Sequence, residues 1–225
     1  MRLDAFIVEQ GLLASRSRAK RAIINGQVSV NDNIVLKPST RVGYNDDIEI
    51  GEDIDVPAGY LKLKAIQQQT QLIHPGDTIL DLGSSAGGFL IFASEIAGHV
   101  SGIEFSDEFM PFLAELAASC DNVTVKKGDV FSIPLISLSE QAVDVILNDI
   151  TVEPEDSIVV LERVLPLLKP DGRILQVLKL GSRTRLDALI EKMAGLGLSV
   201  QHIIEPEKRE VYVIAVRKGE NEAKE

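Results

Sequence analysis

The alternation of short apolar runs with helical patterns between residues 61 and 216 constrains the fold of this 225-residue chain more than any other feature. Apolar runs of strand length predict β-strands at 78–82, 100–104, 123–126, 143–147, 173–178, 200–204 and 211–216. Amphipathic patterns in most of the gaps predict helices near 61–71, 88–97, 107–118, 157–168 and 184–195. A chain that alternates in this way forms a parallel α/β sheet with helices on both faces.

The first fifty residues follow a different pattern, which predicts a small α+β domain. Two short helical patterns come first, and in the second one Ser15 is a candidate N-cap and Gly26 a candidate stop signal. The segments QVSV, IVL and DIEI follow as predicted strands. We therefore divide the chain into a domain at 1–50, an acidic linker at 51–59, an α/β domain at 60–218 and a charged tail at 219–225.

Composition excludes several classes of protein. The single cysteine, Cys120, excludes an internal disulfide framework, and three scattered histidines argue against a histidine or cysteine metal site. No stretch approaches 18 uninterrupted apolar residues and the first residues carry acids, which argues against a signal peptide, a membrane span or a membrane-lytic segment. We therefore expect a soluble, cytoplasmic protein that binds neither metal nor membrane. No feature of the sequence indicates an oligomeric state.

The net charge of −11 is unevenly distributed along the chain. Residues 1–45 contain seven Lys/Arg against three acids and carry +4, which leaves −15 for the other 180 residues. Much of the positive charge lies in SRSRAKRAIING, where Arg16, Arg18, Lys20 and Arg21 are predicted to point outward from a helix. A basic head on an acidic body is typical of a local contact with a polyanion.

Ligand-binding groups follow four consecutive predicted strands of the α/β domain. In TILDLGSSAGGF (78–89) a strand leads into a glycine-rich turn and a helix start, where Gly83 and Gly87 permit tight turning and close approach of a ligand. Glu104, Asp129 and Asp149 end the next three strands. Taken singly, each acid is equally well explained as a helix cap. Together they predict a nucleoside pocket, with Glu104 accepting the ribose hydroxyls and Asp129 an exocyclic amine.

The segments DLGSSAGGF, GIEF, GDV and NDI resemble the S-adenosylmethionine-binding motifs of FtsJ-type 2'-O-ribose RNA methyltransferases. The resemblance spans residues 60–218 and implies a Rossmann-like sheet with an antiparallel last strand, and S-adenosylhomocysteine as a product. The cofactor-binding residues that it implies are Asp81, Gly83, Ser85, Gly87, Gly88, Phe89, Glu104, Phe105, Asp129, Val130 and Asp149. Two segments depart from the family pattern: Ala86 replaces a proline, and Ile150-Thr151 replace the Ala-Pro that follows its catalytic aspartate.

That family also carries a lysine, aspartate, lysine, glutamate tetrad, which this chain matches in order with Lys62, Asp149, Lys179 and Glu210. A ribose hydroxyl is a weak acid, and a lysine can take its proton only when neutral, a state that desolvation and a neighbouring cation favour. The resulting hypothesis makes Lys179 the general base. Asp149 steers the hydroxyl and the lysine head, Lys62 tunes the charge and binds phosphate, and Glu210 orients the lysines.

The segment SRSRAKRAIINGQVSVN resembles the S-four RNA-binding domain, and this order of domains is similar to that of the TlyA (haemolysin-type) ribosomal RNA ribose methyltransferases. The resemblance implies that Arg16, Arg18, Lys20 and Arg21 contact RNA phosphates, and that the partner is ribosomal RNA or a ribosomal subunit. Two alternatives stay open. One is a methyltransferase for a small molecule or a base, and the other is a noncatalytic RNA-binding or ribosome-assembly factor that retains the fold.

Overall fold

The computed structural model describes residues 1–13, 15–24, 26–51, 57–181, 185–206 and 210–219, without the side chains of Ser17 and Arg21. Contacts between residues divide the chain into two compact units, Met1–Val56 and Pro57–Glu225. Most of the predicted linker at 51–59 lies outside the described residues, and so does all of the predicted tail except its first residue.

The N-terminal unit consists of two helices and a small antiparallel sheet of order β2-β1-β3. Its elements are α1 Leu3–Glu9, α2 Arg16–Ile24, β1 Val28–Val30, β2 Asn33–Ile34 and β3 Ile48–Ile50. Both predicted ends of α2 are confirmed: the Ser15 hydroxyl accepts the Arg18 amide at 3.3 Å, and Gly26 has a left-handed φ of +72°. The apolar spacing of the helices therefore produces the buried face that it predicts, which includes Leu3, Phe6, Ile7, Ala19, Ala22 and Ile23.

The second unit is a seven-stranded sheet with helices on both faces, as predicted. Its helices are α3 Ala58–Thr70, α4 Gly88–Ser94, α5 Met110–Ser119, α6 Leu135–Leu138, α7 Pro154–Val164 and α8 Leu186–Gly195. Its strands are β4 Thr78–Leu82, β5 His99–Glu104, β6 Val123–Lys127, β7 Val143–Asn148, β8 Leu168–Lys179, β9 Leu198–Ile204 and β10 Glu210–Arg217. The last strand, β10, runs antiparallel to both of its neighbours, which confirms that prediction as well.

The strand order β6-β5-β4-β7-β8-β10-β9 places the functional edge. From β4 the chain first moves outward through β5 and β6, and it then returns to place β7 on the other side of β4. Ligands of open α/β sheets bind beyond the carboxyl ends of the strands at such a reversal. One apolar cluster covers the face under α7 and α8, and a second covers the face under α3, α4 and α5. These two cores leave the strand ends between them open.

The largest difference from the predicted boundaries is in β8, which begins at Leu168 rather than at residue 173. The segment KPDGR has the composition of a turn, yet the strand continues through it. Asp171 adopts a left-handed φ of +60°, and the register with β7 shifts between Val143 and Val145. A local irregularity of this kind accommodates turn-forming residues without ending the strand. Among the described residues, none of the helices combines the length and the apolarity that a bilayer-crossing segment needs.

Asp4 is a fully buried carboxylate on α1, and both of its ion-pair partners are arginines. Arg2 donates to it at 2.9 and 3.1 Å, and Arg16 donates at 3.1 Å. The hydrogen bonds from Arg2, opposed by burial and reinforced by Arg16, lower the pKa of Asp4 to about 2. Arg16, one of the predicted RNA contacts, therefore also ties α2 to α1.

We expect Asp4→Asn to destabilise the N-terminal unit by about 2 kcal/mol at pH 7, because a folded-state pKa below the ordinary 3.8 favours folding wherever the carboxylate is ionised. This contribution is present above pH 4 and is lost as the pH falls towards 2. Urea unfolding, followed through amide NMR signals of the unit at several pH values, measures it. Asp32→Asn, at an exposed acid of the same unit, is the control. An Asp4→Asn deficit that did not shrink with falling pH would contradict an ionic origin.

Candidate active site

A cavity of about 470 Å³ lies beyond the carboxyl ends of β4, β5, β6 and β7. Seven of the eleven predicted cofactor-binding residues line it, namely Gly83, Ser85, Glu104, Phe105, Asp129, Val130 and Asp149. Apolar side chains that the sequence reasoning did not select complete the wall: Ile103, Phe109, Phe131, Ile150 and Val152. The combination of a glycine-rich loop, carboxylates and apolar faces suits a ligand with a sugar and a flat ring.

The other four predicted cofactor residues lie outside that cavity. Asp81 is buried on β4, and Gly87 adopts φ +76° at the start of α4. A Cβ on Gly88 would lie 2.5 Å from the Tyr60 backbone nitrogen, so this glycine permits the close crossing of α3 and α4. Phe89 packs in the same crossing and is almost fully buried. Gly87 and Gly88 therefore serve helix packing, and Gly88 and Phe89 also line a second, smaller cavity.

Gly83 makes the tight turn that its position predicts, and the group that approaches it closely is the loop after β7. Its φ is +80°, and a Cβ at this position would lie 3.0 Å from Ile150 Cγ2 and 3.3 Å from Ile150 Cα. Only glycine combines that backbone conformation with so close an approach of the β7 loop. The glycine-rich loop after β4 and the loop after β7 therefore form one continuous wall of the cavity.

The acids at the ends of β5 and β6 are bound to their own loops. Glu104 is nearly buried, and its two oxygens accept the backbone amides of Ser85 and Ser106, each at 2.7 Å. Asp129 accepts the Phe131 amide at 3.0 Å and the Ser132 hydroxyl at 2.9 Å. A carboxylate has about four acceptor sites, so each retains capacity for a ligand. Their first role in this structure is to hold the loops that line the cavity.

The four residues of the predicted tetrad converge from four separate elements. Lys62 on α3 lies at the centre, with its Nζ 2.8 Å from Asp149 Oδ2 and 3.0 Å from Glu210 Oε2. Lys179 Nζ lies 3.2 Å from Asp149 Oδ1, without the geometry of a hydrogen bond. Glu210 is directly opposite Lys179 in the antiparallel register of β10 and β8. The carboxylates therefore link the two lysines into one cluster.

The electrostatics of this cluster distinguish Lys62 as a permanent cation. Burial by itself lowers the pKa of Lys62, but Asp149 and Glu210 outweigh it, and the net pKa is raised. Burial raises the pKa of Glu210, but the effect of Lys62 outweighs this increase, and the net pKa is lowered. Burial raises the pKa of Tyr212 to about 12. The charge of Lys62 opposes this increase, and Glu210 adds to it. The Tyr212 hydroxyl therefore stays protonated and donates to Glu210 Oε2 at 3.2 Å.

Lys179 has a second set of contacts, on the loop after β7. Its Nζ lies 2.8 Å from Thr151 Oγ1 and 3.5 Å from the Ile150 carbonyl oxygen. The sequence reasoning noted Thr151 only as a departure from a family pattern. The parallel register of β7 and β8 explains why Thr151 is next to Lys179. Asn148 pairs with Gln176, and three residues further along the chain from each are Thr151 and Lys179. Tyr212 could likewise be placed on the side of Glu210 by the two-residue period of a strand.

A smaller cavity of about 250 Å³ contains the tetrad lysines. It is lined by Lys62, Lys179, the start of α3 and the glycine-rich loop. Four residues line both cavities: Gly83, Ser85, Asp149 and Thr151. The two cavities therefore meet at Asp149 and Thr151, directly beside Lys179. No group of His, Cys, Asp and Glu within the described ranges is arranged to hold a metal ion.

The predicted RNA-binding residues lie on α2 of the N-terminal unit. Lys20 is exposed and Arg18 is half-buried. The Arg16 side chain is 56% exposed although one of its nitrogens binds Asp4, so much of its guanidinium surface remains accessible. The side chain of Arg21 is outside the described part of the chain.

Comparison with known protein families decides the identity of the larger unit, because the model of the FtsJ-like methyltransferases matches residues 56–218. The chain belongs to the FtsJ-like methyltransferase family. The S4 domain model matches residues 1–48 of this FtsJ-like methyltransferase. The predicted order of an S-four domain followed by an FtsJ-like domain is therefore confirmed.

Three similar proteins illustrate the range of relatives of this FtsJ-like methyltransferase. It is 36% identical over 90 residues to "Putative rRNA methyltransferase YqxC" of Bacillus subtilis, a match that covers 39% of this chain and 32% of the other. It is 32% identical over 90 residues to Hemolysin A of Brachyspira hyodysenteriae, with 40% and 38% covered. The structure of Aeropyrum pernix fibrillarin with natively bound S-adenosyl-L-methionine aligns with a TM-score of 0.59 at 20% identity and covers 84% and 94%. The two sequence matches span well under half of the length of those relatives. The match to fibrillarin shows a shared fold.

Buried polar atoms near the two cavities suit S-adenosylmethionine, the methyl donor of the family. Among the described residues, Asp81 Oδ2 and Ser84 Oγ, which lie next to the glycine-rich loop and outside the larger cavity, are buried without a hydrogen-bond partner. Burial raises the pKa of Asp81 to about 7. The Ser84 hydroxyl opposes this increase, and repulsion from Asp149 and Glu104 adds to it. The Ser84 hydroxyl lies near the Asp81 carboxyl but does not have the geometry of a hydrogen bond to it. A buried acid without a partner beneath a ligand loop is a candidate for binding the ammonium group of the cofactor.

We expect Asp81→Asn to raise the melting temperature at pH 8 and to raise it by clearly less at pH 5. A folded-state pKa of about 7 against an ordinary 3.8 means that stability falls as the pH rises from 4 to 7 and stays low above that range. Each kcal/mol recovered raises the melting temperature by about 2–4 °C. Thermal unfolding from pH 5 to 8 measures the effect, with Asp121→Asn at an exposed position as the control. Identical melting of Asp81→Asn and the native chain at pH 8 would disprove the buried charge.

Proposed function

We propose that this FtsJ-like methyltransferase transfers a methyl group from S-adenosylmethionine to a ribose 2'-hydroxyl of RNA, with ribosomal RNA as the substrate. The observation that carries this proposal is the convergence of Lys62, Asp149, Lys179 and Glu210, whose charged atoms lie within 3.2 Å of one another in successive pairs. A hydroxyl nucleophile needs help with its proton, and a cluster of two lysines and two carboxylates can provide that help.

The two lysines divide the work. Lys62 donates a hydrogen bond to Asp149, forms an ion pair with Glu210 and has a raised pKa, so it remains a cation and neutralises much of their charge. Lys179 makes the longer contact to Asp149, and its hydrogen-bonded neighbours Thr151 and Ile150 are uncharged oxygens. Lys179 is therefore the lysine that can give up a proton and act as the general base.

When bound, S-adenosylmethionine supplies a methyl group on a sulfonium, so the leaving group needs no acid. The protein must orient the target hydroxyl and accept its proton. Asp149 lies where the two cavities meet, and from there it orients both the hydroxyl and the Lys179 amine. Glu210 holds Lys62 from the opposite side, assisted by the Tyr212 hydroxyl. Correct positioning of the reacting atoms supplies much of the rate enhancement.

RNA as the substrate is supported by the S4 domain match and by the basic face of α2. Cations on an exposed helix contact phosphates and position RNA without selecting a base. YqxC, one of the similar proteins, is named as an rRNA methyltransferase, which favours ribosomal RNA over other RNA. The alternative of a noncatalytic assembly factor predicts a tetrad whose side chains do not converge, and the short contacts among the four residues count against it.

We expect Lys179→Ala to lower the single-turnover rate of methyl transfer by at least roughly 10²-fold, because it removes the general base. Binding of S-adenosylhomocysteine should stay near the native value, since Lys179 does not line the larger cavity. The assay uses tritiated S-adenosylmethionine and ribosomal RNA from cells that lack this protein, and ribose methylation is identified as label in a nuclease-resistant dinucleotide.

Lys169→Ala is the matched control, since Lys169 lies near the opposite end of the same strand and pairs with Asp144. It should retain full transfer. Lys64→Ala is a second control and should also retain full transfer, because Lys64 lies on the helix of Lys62 but its Nζ lies over the Tyr60 ring, 5.6 Å from the ring centre. Undiminished methylation by Lys179→Ala would show that Lys179 is not the general base. Methyl label on a free base would show that the enzyme methylates a base and not the ribose.

We expect the double substitution Arg18→Ala, Lys20→Ala to weaken RNA binding and to reduce its dependence on salt. Each cation that no longer neutralises a phosphate should lower the slope of log K against log salt by roughly 0.7–0.9. Fluorescence anisotropy with labelled ribosomal RNA fragments at several salt concentrations measures both quantities. Lys192→Ala, at an exposed position on α8, is the control and should change neither. An unchanged slope in the double variant would show that this face of α2 does not bind phosphate.

A further inference from the structure

Three oxygen atoms surround the Lys179 amine, and they differ in chemistry. Thr151 Oγ1 lies at 2.8 Å, Asp149 Oδ1 at 3.2 Å and the Ile150 carbonyl oxygen at 3.5 Å. Thr151 Oγ1 and the Ile150 carbonyl oxygen accept hydrogen bonds from the ammonium group, and Asp149 Oδ1 is an ion-pair contact without hydrogen-bond geometry. The carboxylate and the carbonyl can only accept a hydrogen bond. The Thr151 hydroxyl is the one member of the set that can also donate.

This difference fixes the direction of the lone pair when Lys179 is neutral. A neutral amine keeps two N–H donors. One can stay on the Ile150 carbonyl oxygen, and a small rotation of the amine can aim the other at Asp149 Oδ1, which lies 3.2 Å away and has no other hydrogen-bond partner among the described residues. The lone pair then points towards Thr151, whose hydroxyl rotates and donates to it. The proton that Lys179 accepts during the reaction therefore arrives from the side of Thr151.

We propose that the Thr151 hydroxyl relays the proton of the target hydroxyl to Lys179. This role rests on the proposed ribose methylation, and it makes Thr151 a catalytic residue that contacts the substrate oxygen on one side and the base on the other. The position of Thr151 suits the task, because it lines both the larger cavity and the cavity of the tetrad lysines. Its side chain is exposed, so a substrate can reach it.

The step balances in atoms and charge. The ribose oxygen forms its bond to the methyl carbon while the carbon–sulfur bond breaks and leaves its electron pair on sulfur. The ribose proton moves to Thr151 Oγ1 as the original Thr151 proton moves to the lone pair of Lys179 Nζ. The positive charge lost at sulfur reappears on the Lys179 ammonium, beside the carboxylate of Asp149. Thr151 ends the step protonated as it began, and Lys179 resets by losing a proton to water.

The test compares Thr151→Val, which keeps the shape but removes the hydroxyl, with Thr151→Ser, which retains the hydroxyl. Thr151→Val should lower the single-turnover rate by on the order of 10²-fold, as expected for loss of a positioned proton-transfer group. Thr151→Ser should restore a rate close to that of the native chain. The dissociation constant of S-adenosylhomocysteine and the KM for ribosomal RNA should stay unchanged in both. Thr124→Val, which removes an exposed hydroxyl on β6, is the control and should change none of these quantities.

Two further measurements separate a relay from a structural role. In mixtures of light and heavy water, the native rate should curve with deuterium content, because two protons move together, and the residual rate of Thr151→Val should vary linearly. In the cofactor-free chain, the ¹⁵N resonance of Lys179 Nζ, assigned with Lys179→Arg, should move in Thr151→Val and return in Thr151→Ser. A native rate that is linear in deuterium content, or a Lys179 resonance indifferent to Thr151→Val, would overturn the relay.

The outcomes also distinguish this proposal from the one on which it rests. If the native chain methylates ribose and Thr151→Val is as fast, the relay is wrong and the proposed function stands. If the native chain transfers no methyl group to ribosomal RNA, both proposals fall. If Thr151→Val is slow but Thr151→Ser is equally slow, the loss reflects the shape of the loop after β7, and the relay is overturned.

Discussion

The bridging of two carboxylates by Lys62 is the interaction on which the arrangement of the whole site depends. Lys62 comes from α3, Asp149 from the end of β7 and Glu210 from the first position of β10. A buried charge requires compensation, and here one cation compensates two anions that the sheet brings together. Removing the ammonium would leave two carboxylates facing each other with only Lys179 to separate them. Lys62 therefore maintains the arrangement of the two carboxylates beside Lys179.

Much of the fold follows from the sequence because its signals are local. The apolar runs TILDL and VDVILN have the length of buried strands, and the alternation with helices restricts the sheet to a few topologies. The family motifs further place three tetrad residues, Asp149, Lys179 and Glu210, at strand ends. What the sequence cannot specify is the pairing of β10 with β8, because two apolar strands can pair in several registers. The opposition of Glu210 and Lys179 is therefore a property of the folded sheet.

The carboxylates at the ends of β5 and β6 illustrate a different limit. Sequence reasoning assigned Glu104 and Asp129 to a ligand because acids at that edge bind nucleosides in many folds. The structure shows both bound to backbone amides and a hydroxyl of neighbouring loops. Backbone amides near a sheet edge require acceptors whether or not a ligand is bound, and the nearest carboxylate supplies them. Such local hydrogen bonds depend on loop conformation, which composition alone does not determine.

The close crossing at Gly88 couples the glycine-rich loop to the helix that carries the central lysine. Because a Cβ on Gly88 would lie 2.5 Å from the Tyr60 backbone nitrogen, the backbones of α3 and α4 are in direct contact, and no side chain sets the spacing between them. A displacement of the loop by as little as one methyl group would therefore move the backbone of α3, and Lys62 with it. The main chain itself thus keeps the wall of the cavities in register with the charged cluster.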